Sequence, residues 1–280
     1  MKKSSSTLKN SITSIAIGGF DGMHIAHQEL FKNLDSNGGI LSIESSYANL
    51  TPKKYRQEYS KYPIFYYQLE EIKHLEGDEF IRLLEKEFPN LKKVVVGFDF
   101  CFGKDRKYCI QKLKELFKGE VIILDEIKLE NIAVHSRVIR EYIKNGDIKN
   151  ANKFLGKNYK IYGNHITGQG LGSTDFVPTI NLTVKEFLLP KEGVYITKTI
   201  LNEKEYSSVT FLGHRVTTDG SYAIETHILE PFTQNEDEGI IQIKFLEKIR
   251  DNKKFDNFTK LKNEILKDIE TAKKYFINVY

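Results

Sequence analysis

The spacing of apolar positions changes character partway along the chain. In the first half, short apolar runs alternate with helical patterns. Ser14-Ile15-Ala16-Ile17 and Gly39-Ile40-Leu41-Ser42-Ile43 predict strands, with a helix over 28–34 between them. Phe80, Leu83, Leu84 and Phe88 recur at helical spacing and predict a helix over 78–88. A compact strand over 91–96, a helix over 110–117 and a strand over 121–124 follow. Strands separated by helices predict a parallel sheet with crossover connections. Such sheets bind ligands beyond the carboxyl ends of their strands. The stretch 136–155 reads as helical, interrupted by a turn at Asn145-Gly146-Asp147.

After Gly156-Lys157-Asn158 the grammar shifts to closely spaced β segments at 159–166, 180–184, 194–200, 206–212, 222–229 and 240–245. Polar turns between them predict an antiparallel barrel or sandwich. Phe258, Leu261, Ile265, Ile269, Ala272 and Phe276 then form one apolar stripe, the mark of a closing helix that docks on the β-domain. The expected division is therefore 1–155 and 156–280. The chain carries no internal repeat and no low-complexity tract.

Composition narrows this picture only slightly. A length of 280 residues suggests two domains at about 150 residues each, and 40% hydrophobic with 29% charged residues is ordinary for a soluble globular protein. No apolar run is long enough to span a bilayer. Met1-Lys2-Lys3-Ser4-Ser5-Ser6 begins like a secretory signal but lacks an apolar stretch behind it, so it reads as a frayed tail. The two cysteines, Cys101 and Cys109, exclude a disulfide framework and a four-cysteine zinc site. They fit a reducing cytoplasm, with Cys101 read as a small apolar filler. The net charge of +4 is scattered, which argues against a nucleic-acid partner. Fifteen Tyr and eighteen Phe supply core packing, with stacking on a planar ligand as a second use.

The most informative segment is Ile17-Gly18-Gly19-Phe20-Asp21-Gly22-Met23-His24-Ile25-Ala26-His27. A strand enters a glycine-rich turn and a helix begins at two histidines. Glycines let backbone N–H groups approach an anion, and a helix N-terminus favours phosphate. His24 and His27, three apart, project to one side and could hold phosphate oxygens as charge develops on them. A metal ion is the other use of such a pair, but no third ligand is evident nearby. Downstream, Val96-Gly97-Phe98-Asp99-Phe100-Cys101-Phe102-Gly103 leaves a buried strand for an aromatic-rich loop that suits a flat ring, or fills the core.

The first of these segments resembles the signature of the nucleotidylyltransferase superfamily, in the form found in bacterial bifunctional FAD synthetases. The Val96–Gly103 segment, with Lys104, Asp105 and Arg106 behind it, is similar to that family's second motif. Val134-His135-Ser136-Arg137-Val138-Ile139-Arg140 matches the turn that grips ATP phosphates, although His135 and Arg137 replace small hydroxyl residues. The family's Pro- and His-containing stretch is replaced by Glu44-Ser45-Ser46-Tyr47-Ala48-Asn49-Leu50. The resemblance implies catalytic roles for His24 and His27. It implies nucleotide or phosphate contacts for Gly19, Phe20, Asp21, Gly22, Ser136 and Arg140, and flavin contacts for Asp99, Phe100 and Phe102, with Phe98 a further stacking candidate.

In the second half, Gly168, Gly170 and Gly172 make a turn able to wrap phosphate through backbone donors. Thr179 and Asn181, two apart on an expected strand, point to one side, where neutral oxygens could help a Mg²⁺ ion bridged to ATP. This stretch, with its Pro-Thr-x-Asn core, resembles the riboflavin kinase domain of the same enzymes. The resemblance makes Glu225, in Ile224-Glu225-Thr226-His227, the general base for the ribityl hydroxyl. Departures are Ser173 for an arginine, Phe176-Val177 for a Gly-Phe pair, no asparagine before the glycine in Phe211-Leu212-Gly213, no proline in Arg215-Val216-Thr217, and no Tyr-Gly step in 231–239.

The expectation is thus an α/β chain with a Rossmann-like nucleotidylyltransferase domain followed by an antiparallel riboflavin kinase barrel and a closing helix. The resemblance implies phosphorylation of riboflavin to FMN and adenylylation of FMN to FAD. It implies Mg²⁺ as cofactor, ATP, riboflavin and FMN as substrates, and neither nucleic acid nor membrane as partner, in a cytoplasmic monomer or weak homo-oligomer. Two alternatives stand beside it. One is an FMN adenylyltransferase whose degenerate kinase domain binds without turnover; the other is a flavin- or nucleotide-binding regulator.

Overall fold

The computed structural model describes every residue except 1–4, 46–47, 167–176, 218, 232–238 and 280. It divides into two compact units, Met1–Ser136 and Arg137–Tyr280. The first contains α1 (Ser5–Lys9), β1 (Ser14–Gly18), α2 (Ile25–Lys32), β2 (Gly38–Glu44), a 3₁₀ turn (Lys53–Tyr59), β3 (Ile64–Gln68), α3 (Leu69–Ile72) and α4 (Gly77–Glu87). It continues through β4 (Lys93–Gly97), β5 (Cys101–Phe102), β6 (Tyr108–Cys109), α5 (Ile110–Leu116), β7 (Glu120–Leu124), β8 (Lys128–Leu129) and β9 (Ile132–Ala133).

Five of these strands form a parallel sheet in the order β3-β2-β1-β4-β7. Side chains alternate along each strand, so both faces of the sheet must be covered. Ile15, Ile17, Val94 and Val96 pack with Phe80, Ile81 and Leu84 of α4 on one face. Ala16, Ile40 and Val95 pack with Leu30 and Phe31 of α2 on the other. From β1 the chain runs outward to β2 and β3, then returns to the opposite side of β1 as β4. The strand order reverses there, which opens a crevice at the carboxyl ends of β1 and β4.

The aromatic run Ile64-Phe65-Tyr66-Tyr67-Gln68 forms β3, an element absent from the expectation above. Cys101 and Cys109 depart from the expected free thiols more sharply. They face each other across the β5–β6 pair, with Cα atoms 4.1 Å apart, and form a disulfide. They stand eight positions apart in sequence, and only the hairpin fold brings them together.

The second unit begins within α6 (Ser136–Asn145) and continues with α7 (Ile148–Leu155). Asp147 caps α7 by accepting from the Asn150 N–H (3.2 Å), and Gly156 ends it in the left-handed region at φ 71°. Both punctuation marks read from the sequence are therefore real, yet the helices before Gly156 belong by packing to the barrel unit. Asn152 ties α7 to the barrel by donating to the Phe245 carbonyl (2.9 Å) and accepting from the Tyr159 N–H (2.6 Å).

β10 (Tyr159–Ile166), β11 (Ile180–Thr183), β12 (Gly193–Leu201), β13 (Lys204–His214), β14 (Tyr222–Ile228) and β15 (Ile240–Asp251) follow. They close an antiparallel barrel in the order β10-β11-β14-β13-β12-β15. The closing helix α8 (Phe258–Val279) lays Ile265, Ile269, Ala272 and Phe276 against Val194, Ile196 and Val209. Phe258, the start of the expected stripe, stays exposed at 58%. Arg250 fixes the helix with a bidentate contact to buried Asp268 (3.0 and 2.8 Å).

Because α8 covers the outer face of β12, the alternate side chains of that strand point into the barrel. Thr197, Thr199, Ser208, Thr210 and Thr226 are all fully buried there. Their hydroxyls form a closed ring: Thr197–Ser208 (2.8 Å), Ser208–Thr199 (2.8 Å), Thr199–Thr226 (3.0 Å), Thr226–Thr210 (3.0 Å) and Thr210–Thr197 (2.8 Å). With Thr210 donating to Thr226, each hydroxyl donates once and accepts once around the ring. Thr210→Val keeps the shape but leaves one buried donor and one acceptor unpaired. The expected loss is about 1–3 kcal/mol of barrel stability, read by urea denaturation. Thr210→Ser, which retains the hydroxyl, should lose less; equal losses would exclude the hydrogen-bond ring as the cause.

Candidate active sites

The turn between β1 and α2 is built under backbone strain. Phe20 (φ 49°), Gly22 (φ 86°) and Met23 (φ 45°) all occupy the left-handed region, where a non-glycine residue costs about 1–3 kcal/mol. Burial and hydrogen bonds hold them there. Phe20 and Met23 are buried, and the Phe20 ring packs so closely that a Cβ on Gly18 would lie 3.0 Å from it. The buried Asp21 carboxylate accepts from the Thr51 N–H (2.9 Å) and the Leu50 N–H (3.2 Å). Ser136 donates its hydroxyl to the Asp21 carbonyl (2.8 Å).

Behind the turn lies a fully buried guanidinium, Arg56. It donates to the Thr51 carbonyl (2.8 Å), the Ser42 hydroxyl (2.6 Å) and the Gly19 carbonyl (3.2 Å), and it forms an ion pair with Glu44. A trans peptide is planar and points its C=O and the next N–H in opposite directions. By fixing the Gly19 carbonyl, Arg56 therefore fixes the Phe20 N–H facing the other way. Glu44 and Thr51 bracket the stretch in which this chain departs from the family pattern, and that stretch is tied to the turn at both Asp21 and Arg56.

His24 occupies the N-cap position of α2 and His27 its first turn. Their rings stack, with centroids 3.5 Å apart and planes 21° from parallel, and Phe20 meets His27 edge-on at 5.1 Å. Both histidines line a cavity of about 880 Å³ that also touches Gly19, Phe20, Asp99, Phe100, Phe102 and Ser136. That volume falls in the range of small-molecule sites, about 300–1,000 Å³. Most of the first site's expected residues thus come together.

Asp21 and Gly22 do not line the cavity; they shape the turn behind it. Arg140 lies one helical turn beyond Ser136 on α6, in the second unit. Phe102 is 4% exposed and belongs to the core with Phe80, whereas Phe98 is 42% exposed at the cavity wall. Phe100 stacks on Phe102 at 5.7 Å. Sequence reasoning missed Lys73 and His74, which line the same cavity, and Arg56, whose role depends on contacts distant in sequence.

The second site is a cluster on the barrel. Asn181 of β11 and Glu225 of β14 are direct cross-strand partners, which places their side chains on one face. Arg215 joins them. Its Nε (3.0 Å) and Nη2 (2.6 Å) donate to Glu225 Oε1, and Nη2 also donates to Asn181 Oδ1 (3.1 Å). Ser221 anchors the same guanidinium by accepting from Nη1 (2.8 Å). Arg215 stands in a segment already noted for its missing proline, but only the fold shows what it grips. Thr179 precedes β11 rather than lying within it. Gly168, Gly170 and Gly172, with Ser173 and Phe176, lie outside the described residues. The oxygen donors Thr179, Asn181 and Glu225 have the hard character that Mg²⁺ requires.

Comparison with known proteins agrees with both halves. A riboflavin kinase family model matches residues 155–276, and an FAD synthetase model matches residues 61–138. A bifunctional riboflavin kinase/FMN adenylyltransferase of Buchnera aphidicola subsp. Schizaphis graminum is 30% identical over 95% of each chain. The protein of that description in Haemophilus influenzae is 29% identical over 94% of each. A solved structure from Streptococcus pneumoniae, described as a macrolide-efflux protein, superposes with a TM-score of 0.82 at 28% identity over 94% of each chain. Among the described residues no helix is long and apolar enough to cross a membrane. With both family models matched in order and a relative 30% identical over 95% of each chain, the chain belongs to the bifunctional riboflavin kinase/FMN adenylyltransferase family.

Proposed function

We propose that the barrel phosphorylates riboflavin to FMN and that the sheet unit converts FMN to FAD. The observation that carries the second reaction is the stacked His24–His27 pair on the cavity at the strand-order reversal. In that reaction an FMN phosphate oxygen attacks the α-phosphorus of ATP, and the bond to the β-phosphate breaks to release pyrophosphate. Negative charge builds on the phosphate oxygens in flight. Imidazole donors of His24 and His27, with backbone N–H groups of the Gly19-Phe20 turn, stabilise it. Phe98 and Phe100 offer faces for the flavin ring, and Asp99 a polar edge.

In the barrel, Glu225 takes the proton from the ribityl hydroxyl as that oxygen attacks the γ-phosphorus. Both Arg215 bonds fall on Oε1, so we assign the base role to Oε2. Thr179 and Asn181 would hold Mg²⁺, which screens the phosphate charge when bound. We assign Ser136 and Arg140 to ATP phosphates and propose the functional division at 155/156. A cytoplasmic location fits the supply of ATP.

The test is to incubate the purified protein with riboflavin, ATP and Mg²⁺ and to resolve the flavins by chromatography. FMN followed by FAD is expected. FAD formed only from added FMN would leave the barrel without turnover, and no product from either flavin would overturn both assignments.

A further inference from the structure

The Cys101–Cys109 disulfide sits where it can act on the first cavity. Cys101 and the hairpin turn after it, Gly103-Lys104-Asp105-Arg106, line the cavity wall, while Cys109 is exposed and stands at the N-cap of α5. Cys101 therefore belongs to the wall of the site, and its disulfide partner Cys109 is an exposed residue.

Beside the disulfide, the hairpin is closed by the Phe102–Tyr108 cross-strand pair, whose rings lie 5.9 Å apart. Each strand is two residues long, and so small a ladder is marginal on its own. Its turn holds Asp105 (φ 56°) and Arg106 (φ 55°) in the left-handed region, which works against closure. On the β5 side the hairpin is anchored independently, by buried Phe102 and by the Lys104 N–H bond to the Leu75 carbonyl (2.7 Å). On the β6 side, Tyr108 hydrogen-bonds to Glu76. The disulfide is the covalent tie between the two sides. It holds Lys104 and Arg106, two cationic side chains, at the rim of a cavity read as the site of phosphorylated ligands.

We propose that Cys101–Cys109 is a thiol–disulfide exchange site whose oxidised form pre-organises the cavity for FMN and whose reduction weakens FMN binding. The thiolate of a small dithiol attacks the sulfur of Cys109, the more exposed residue of the pair, the S–S bond breaks, and Cys101 leaves as thiolate. The reductant's second thiolate then displaces Cys109 and closes to a cyclic disulfide. Two electrons pass to the protein pair, which ends with two protons more. A low-molecular-weight disulfide reverses the exchange by taking two electrons and two protons back.

The inference rests on the reading of this cavity as the FMN site, and the experiment separates the two. The whole protein is oxidised with a low-molecular-weight disulfide or reduced with a dithiol and freed of reagent. Initial rates of FAD formation are then taken against FMN concentration, with riboflavin phosphorylation measured in the same sample. Reduction should raise the KM for FMN roughly tenfold, as expected when a pre-organised loop is released, while FMN production from riboflavin stays constant. Re-oxidation should restore the KM. The Cys101→Ser/Cys109→Ser double variant should match the reduced protein and ignore the reductant. Equal KM values in the two states, a reductant response in the double variant, or two alkylatable thiols after oxidation would each overturn the proposal. If His27→Ala slows FAD formation by about 10²–10³-fold while the redox state has no effect, only the exchange site fails. If His27→Ala leaves FAD formation intact, the cavity reading fails and takes this inference with it.

Discussion

His27→Ala is expected to slow FAD formation from FMN by about 10²–10³-fold, the usual consequence of removing one preorganised donor to a developing oxyanion. Riboflavin phosphorylation should continue at the parent rate, because His27 belongs to the sheet unit and the Asn181–Arg215–Glu225 cluster to the barrel. Glu225→Gln should do the reverse. It keeps a side chain of the same size beside Arg215 but removes the basic carboxylate, so FMN formation falls and added FMN still becomes FAD. Flavin chromatography after timed incubation reads both variants, and circular dichroism checks that each remains folded. If either substitution depresses both reactions equally, the assignment of one reaction to each site is wrong.

Arg56→Met should destabilise the sheet unit by about 3–5 kcal/mol, the range found when one member of a buried ion pair is deleted. The guanidinium is fully buried, and Glu44 beside it is only 10% exposed in its side chain. Removing the cation leaves a desolvated carboxylate together with the Gly19 and Thr51 carbonyls that Arg56 now satisfies. The Arg56→Met/Glu44→Leu double variant should recover part of the loss, since an apolar pair avoids the stranded charge. Urea denaturation of each variant gives the coupling. A double variant as unstable as the sum of the single changes would mean that the two side chains do not act as a pair. FAD formation should suffer in both variants, because the Gly19–Phe20 peptide loses its fixed orientation.

How much of this was legible in the sequence depends on how local its cause is. The alternation of Ile15, Ala16 and Ile17, the glycine turn behind them and the histidines three apart are set by neighbours in the chain. They announced β1, the turn and the start of α2 without any tertiary information. The turn at 145–147, the left-handed stop at Gly156 and the apolar stripe of α8 were readable for the same reason. Family resemblance supplied the chemistry of His24, His27 and Glu225, which periodicity alone does not contain.

What only the tertiary structure decided involves partners far apart in sequence or a choice of face. Asp21 read as a phosphate ligand, but its carboxylate turned out to be engaged by backbone groups 29 and 30 residues away. Arg56 and Arg215 carried no local signal, since a lone arginine in a polar stretch looks solvated until the fold buries it against a carboxylate. The two cysteines became a pair only when the hairpin set them opposite each other. In the barrel, alternation along β12 fixed that Ile196 and Thr197 face opposite ways but not which one faces inward. Packing of α8 on the isoleucine side settled it, leaving the hydroxyls inside, where they satisfy one another. Local periodicity determines which residues share a face; the burial of that face, and hence the chemistry available to it, is set by what the rest of the chain lays against it.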